Sequence, residues 1–202
     1  MSEGGSCSDP TDRRHHIDVH HIVVMGLMGT GKTTVGRLVA NELGRPFVDN
    51  DSIVELRTGS RPGDFLARGG SLEELHRTEL TALLQIIARS GSVVYAAAAS
   101  VVDHITADDV GAAWCVWLDT SPSVLTARTL AHRQLRPLLG AQREELFEEQ
   151  HARRTDRGRA IASHTIHTDV LTPNEVAERI CAAWRTRADR ESVGDDARRR
   201  PR

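Results

Sequence analysis

From His21 to Gly44 the chain reads HIVVMGLMGTGKTTVGRLVANELG, and this stretch decides the fold. Its opening, HIVVMG, is a short apolar run closed by a glycine, the pattern of a strand buried on both faces. From Thr33 the period changes: Val35, Leu38, Val39 and Leu43 recur at helical spacing, and Gly44 is the stop. Between strand and helix lies GLMGTGKT, Gly26 to Thr33, which satisfies GxxxxGK[ST] in the strand–loop–helix setting that turns the pattern into a signal.

That loop predicts a triphosphate site. Gly26, Gly29 and Gly31 let the backbone bend until successive N–H groups converge on phosphate oxygens at the positive end of the following helix. Met28, Thr30 and Thr34 contribute to the same cradle. Lys32 adds a point charge to the β- and γ-phosphates, and the Thr33 hydroxyl is an oxygen ligand for Mg²⁺, which bridges phosphates and keeps several waters. ATP and Mg²⁺ are the expected cofactors.

RPFVDND then predicts a second short strand with Asp49 and Asp51 on either side of Asn50. In an extended segment those two carboxylates point the same way. Asp49 is assigned to the waters of the metal and Asp51 to the acceptor hydroxyl, as base or orienter. Capping of the next helix by Asp51 is the structural alternative, but it explains one aspartate and not two.

Farther on, short apolar runs alternate with longer amphipathic ones, which predicts βαβ units and a mostly parallel sheet. A helix is expected over 72–89, strands at SVVYAA, AAWCVWLD and HTIHTD, and a closing helix at LTPNEVAERICAAW with Thr172 as cap and Pro173 in its first position. Thr120 to Gln142 is polar, carries Arg128, Arg133 and Arg136, and suits a mobile loop over a ligand. Residues 1–19 and the Arg-rich 188–202 are expected to be loose tails around a single kinase domain, 20–187.

Composition limits the partners. Lys and Arg (26) nearly balance Asp and Glu (28), so no global field draws the chain to nucleic acid or anionic lipid. Aromatics at 3% offer no stacking platform for single strands. No apolar run approaches the roughly 20 residues of a membrane span. Cys7, Cys115 and Cys181 are far apart and suit free thiols in a reducing cytoplasm. A monomer acting on a small molecule is the expectation. The early histidines, His15, His16, His20 and His21, fall in or beside the tail, and His164 and His167 face opposite sides of a strand, so neither group suits a metal.

GLMGTGKTTVGRLVANELGRPFVDNDSIVELRTG resembles the opening of the shikimate kinase family, with its P-loop, VGR-type first helix and PFVD-x-D second strand. LRPLLG, Leu135 to Gly140, resembles that family's lid motif. The resemblance implies a three-layer α/β/α fold with a five-stranded parallel sheet and a mobile lid, and ATP-dependent transfer to an alcohol of a small cyclic acid. It places Arg136 on the transferring phosphate and Arg154 on the substrate carboxylate, while Arg128 would lie on the adenine.

Three departures fall in the acceptor half. Ala97, Ala98 and Ala99 stand where the family has GGG. His76, with Arg77 beside it, stands where the family has a substrate-binding arginine. Gly158 replaces an expected tyrosine. These predict a shikimate-kinase-like enzyme with an altered acceptor, anionic or polyhydroxylated. Shikimate itself, or a nucleotide-binding regulator without turnover, are the alternatives.

Overall fold

A computed structural model describes residues 20–131 and 143–198. The buried run is strand β1 (Ile22–Gly26) and the amphipathic run is helix α1 (Lys32–Leu43). Strands β2 (Phe47–Asp49), β3 (Val94–Ala96), β4 (Trp114–Asp119) and β5 (His164–His167) complete a sheet that is parallel throughout, in the order β2-β3-β1-β4-β5. Central β1 pairs with β3 on one edge and β4 on the other, and all five of its residues are buried. That explains an apolar run without alternation.

Helices α2 (Asn50–Thr58), α3 (Pro62–Ala67), α4 (Leu72–Ile87), α5 (Ala107–Val110), α6 (Pro122–Ala131), α7 (Arg143–Ile161) and α8 (Pro173–Arg198) connect and cover the strands. Strand alternation makes two cores. Val23, Met25, Cys115 and Trp117 meet Leu83 and Ile86 of α4 and Phe147 of α7 on one face. Ile22, Val24, Trp114 and Val116 meet Val35 and Val39 of α1 and Val176 and Ile180 of α8 on the other. Trp114 and Trp117 thus enter opposite cores, as expected, and the three-layer α/β/α architecture is the one the sequence implied. Burial pushes the thiol of Cys115 up to about 12 and raises that of Cys181, so both are inert packing groups.

Several expectations change. The first part of the anticipated loop at 120–142 is helix α6, whose buried Leu125 and Thr129 seat it on the core. Residues 132–142, with Arg133, Arg136 and the LRPLLG motif, lie outside the described residues, as does the segment 1–19. The closing helix runs on through Arg198, past the boundary drawn at 187. His21, beside the tail and inside the expected domain, is tied into the fold: its ring accepts from Val93 N–H at 3.3 Å and reaches the Arg89 carbonyl at 3.0 Å, linking the start of β1 to the α4–β3 connection. No described helix is long and apolar enough to cross a membrane.

Candidate active site

The loop after β1 is bent by its glycines. Gly26 has φ 150°, and a Cβ there would lie 2.8 Å from the Leu118 carbonyl of β4 and 2.9 Å from Thr30 Oγ1. Only glycine fits that approach to the neighbouring strand. Gly31 caps α1 at φ 93°, with no side chain over the helix's first N–H groups. Thr30 braces the turn, its hydroxyl donating to the Leu27 carbonyl at 2.9 Å. Lys32 Nζ donates to the carbonyls of Gly26 and Leu27, both at 2.9 Å, so the ammonium is folded over the loop where phosphates would bind.

Beside the loop is a cleft of about 430 Å³ lined by Gly29, Thr30, Gly31, Thr34, Arg128 and Thr168, among others. Arg128, on α6, crosses its mouth and donates to the Thr168 carbonyl at 2.6 Å. The cleft lies beyond the carboxyl ends of the strands, where open α/β sheets bind ligands. Met28 differs from its neighbours: its side chain packs on the core, leaving its backbone to the loop. A second cavity, about 530 Å³ between Trp114, His164 and Arg187, opens at the amino-terminal ends of β4 and β5 and holds none of the predicted site residues.

The acidic pair is arranged differently from the extended strand expected. β2 ends at Asp49 and α2 begins at Asn50, so strand alternation does not relate the two carboxylates. Asp49, not Asp51, is the helix cap: its Oδ1 accepts from Asp51 N–H at 3.0 Å. Asp51 sits exposed in the first turn. Between them Asn50 turns inward and is buried, its Oδ1 accepting from the Tyr95 hydroxyl on β3 while its Nδ2 has no hydrogen-bond partner among the described residues. An asparagine between two aspartates gives no sign of this in the sequence.

Asp49 ends β2 and Thr33 lies in the first turn of α1, each with an oxygen to offer a metal ion, and no group of three or more His, Cys, Asp or Glu that could hold a metal exists among the described residues. One or two protein oxygens beside a phosphate site fit Mg²⁺, which otherwise keeps its waters. When bound, the ion would neutralise charge on the phosphates.

On the acceptor side, α4 places its predicted residues unequally. Its buried stripe is Leu75, Glu79, Ala82, Leu83 and Ile86. Arg77 lies two residues from Glu79, about 200° around the helix, and is exposed, so it is set away from the site. His76 is half-buried and faces inward. Burial, then the nearby charge of Arg154, holds its imidazole below the usual range, so it is neutral at pH 7.

Glu79 was absent from the expected site. It is buried, accepts from the Ser100 hydroxyl, and has its carboxyl pushed up by burial against the bond from Ser100. Asp51 raises it further, while Lys32 and Arg154 oppose that rise, so all three charges lie within electrostatic reach of Glu79. A glutamate in an apolar helical stripe was the available signal.

Ala97 and Ala98 are buried in the core, and among the described residues no non-glycine has positive φ, so the alanine run follows an ordinary backbone. Its methyl groups fill space and store no strain. Gly158 is not an acceptor wall. It lies within α7, where a Cβ would meet the Trp117 ring at 2.4 Å, so the indole of β4 occupies the room a larger side chain would take. Arg154 is buried, its guanidinium bound to Asp103 just beyond the alanine run.

The loop, its lysine and the acidic end of β2 define a P-loop phosphotransferase, an enzyme that passes the γ-phosphoryl group of ATP to a hydroxyl. Within that class the chain belongs to the shikimate kinase family, whose profile matches residues 28–185. A shikimate kinase of Symbiobacterium thermophilum is 37% identical over 123 residues, 59% of this chain and 69% of the relative. One of Thermodesulfovibrio yellowstonii is 35% identical over 167 residues, 79% and 92% of the two chains. The structure of an Acinetobacter baumannii shikimate kinase in complex with shikimate superposes with a TM-score of 0.74 at 25% identity, covering 85% of this chain and 96% of that one.

Proposed function

We propose that this chain phosphorylates a hydroxyl of a small polyhydroxylated acceptor, using MgATP, through an acceptor pocket that departs from that of its relatives. The observation that carries the kinase reading is Lys32 laid over the Gly26 and Leu27 carbonyls, with Glu79 within electrostatic reach of both Lys32 and Asp51. The acceptor oxygen forms a bond to the γ-phosphorus as the bond from that phosphorus to the β,γ-bridging oxygen breaks. ADP leaves with the electron pair, and the hydroxyl proton passes to Asp51. Thr33 and Asp49 would hold the ion, Arg128 would lie on the adenine, and Arg136 would close over the phosphoryl group. Positioning and fixed charge supply the rate.

The altered pocket is supported by His76, half-buried and held below the usual imidazole range at the position where the family has an arginine. A second reading, shikimate as acceptor, is favoured by family membership and by the A. baumannii relative bound to shikimate. Steady-state ADP release with MgATP and a panel of cyclitols and sugar acids separates them: the altered pocket predicts poor turnover of shikimate. Lys32→Ala should lower kcat/KM for the best acceptor by about 100-fold or more, as loss of a preorganised transition-state donor does. Parent-like turnover in that variant would refute the phosphate cradle.

A further inference from the structure

Tyr95 is the middle residue of β3, and its ring is buried in the core that includes Leu83 and Ile86 of α4. It pairs with Val48 of β2, a register that sets Ala96 beside Asp49, the last residue of that strand. From there the phenol reaches the first turn of α2, where its hydroxyl donates to Asn50 Oδ1. That is the one hydrogen bond of the Asn50 side chain among the described residues, because Nδ2 makes none.

A polar pair is a costly filling for a core, since two apolar side chains would need no bond and the Asn50 amide still leaves a donor unsatisfied. What sets this pair apart is its place. Asn50 stands between Asp49 and Asp51, and Asp49 Oδ1 accepts from Asp51 N–H at 3.0 Å, so both carboxylates ride on the turn that Asn50 begins. Helix ends fray, and an inward anchor at the first residue opposes that. Burial, then the charges of Asp49 and Glu79, raise the Tyr95 phenol above its ordinary range, with Asp51 adding to the rise and Arg57 opposing it. The hydroxyl therefore keeps its proton to donate, within electrostatic reach of both acids of the turn.

We propose that Tyr95 and Asn50 are positioning residues for phosphoryl transfer: the phenol O–H pins Asn50, and Asn50 pins the first turn of α2 that carries the Asp49 and Asp51 carboxylates. Exposed by only 0% and 1%, the two side chains act through that turn and not by touching ATP or the acceptor. This rests on the kinase reading above, in which Asp49 serves the metal's waters and Asp51 the acceptor hydroxyl, and assigns what holds both acids in place.

The test is Tyr95→Phe in the full chain, which keeps the ring and removes the donor, studied well below its melting temperature with MgATP and the panel acceptor that the parent turns over fastest. Its kcat should fall about tenfold, short of the roughly 100-fold that a misplacement of about 1 Å costs, while KM for ATP holds because the phosphate loop is untouched. Calorimetric titration reads the same device without turnover. ADP alone should bind variant and parent equally, and the gain in affinity on adding Mg²⁺ should shrink about threefold, a smaller loss than for a direct partner of a metal ligand. A lowered melting temperature with kcat and the Mg²⁺ gain both unchanged would mark a merely structural bond and overturn the inference. Should Tyr95→Phe not fold, Tyr95→Phe/Asn50→Leu serves, because it leaves neither partner unpaired. Its kcat should also be about tenfold low, and a parent-like kcat is a refutation. Asp49→Asn separates the two claims. If it lowers kcat and the Mg²⁺ gain where Tyr95→Phe lowers neither, the kinase reading stands and this inference falls. If Asp49→Asn changes neither, the role given to Asp49 falls and the inference with it. Where the parent turns over no acceptor of the panel, the Mg²⁺ gain alone decides.

Discussion

At Gly158 a missing side chain is explained by a large one elsewhere. The Trp117 ring lies 2.4 Å from where a methyl group would sit, closer than real Cβ contacts occur. Alanine improves helix propensity by about 0.5–1 kcal/mol, but over-packing a filled core costs about 1–3 kcal/mol. Gly158→Ala should therefore lower the urea midpoint with m unchanged, and an unchanged or higher midpoint would show that the indole moves aside freely. The sequence marks the position as unusual but ascribes it to the acceptor, because nothing near Gly158 in the chain names Trp117 as its neighbour. Asp103 was illegible for a similar reason: its partners on α7 are remote in sequence, and a short 3-10 turn has no period to read.

At the scale of elements, α4 carries an acid in its buried stripe. Its Ser71 cap, accepting from Glu74 N–H at 3.0 Å, and its apolar repeat start and seat the helix, while Glu79 faces inward among them. The folded-state pKa of Glu79 lies above its unfolded value, so the carboxyl favours folding below the unfolded pKa and loses that contribution as pH rises through the folded one. Glu79→Gln should thus be more stable than the parent in urea at pH 8, with the gap closing toward pH 4.5. A gap that widens on acidification would contradict the assignment. Helix α7 escaped the sequence reading because its 19 residues are mostly charged, with few apolar positions such as Phe147 and Ile161 to trace a stripe.

Across the whole molecule, the cleft beside the P-loop joins elements distant in the chain: the loop before α1, Arg128 on α6 and Thr168 between β5 and α8. A ligand that binds only the folded state stabilises it by about 2.7 kcal/mol at a hundred times its Kd. Saturating MgATP should therefore raise the melting temperature by about 5–10 °C in a domain of this size, and Lys32→Ala should lose most of that shift. An equal shift in both proteins would place the nucleotide elsewhere.

The amino-acid order by itself determined the strand–loop–helix opening with its P-loop motif, the parallel α/β sheet and the family, because these depend on local period, glycine chemistry and a contiguous motif. Only the tertiary structure decided that Asp49 caps α2, that Arg77 is turned outward, that Gly158 yields space to Trp117, and that Asp103 holds Arg154. Each of these depends on which remote side chain shares a few cubic ångströms or a single guanidinium, and no period or spacing along the chain encodes that.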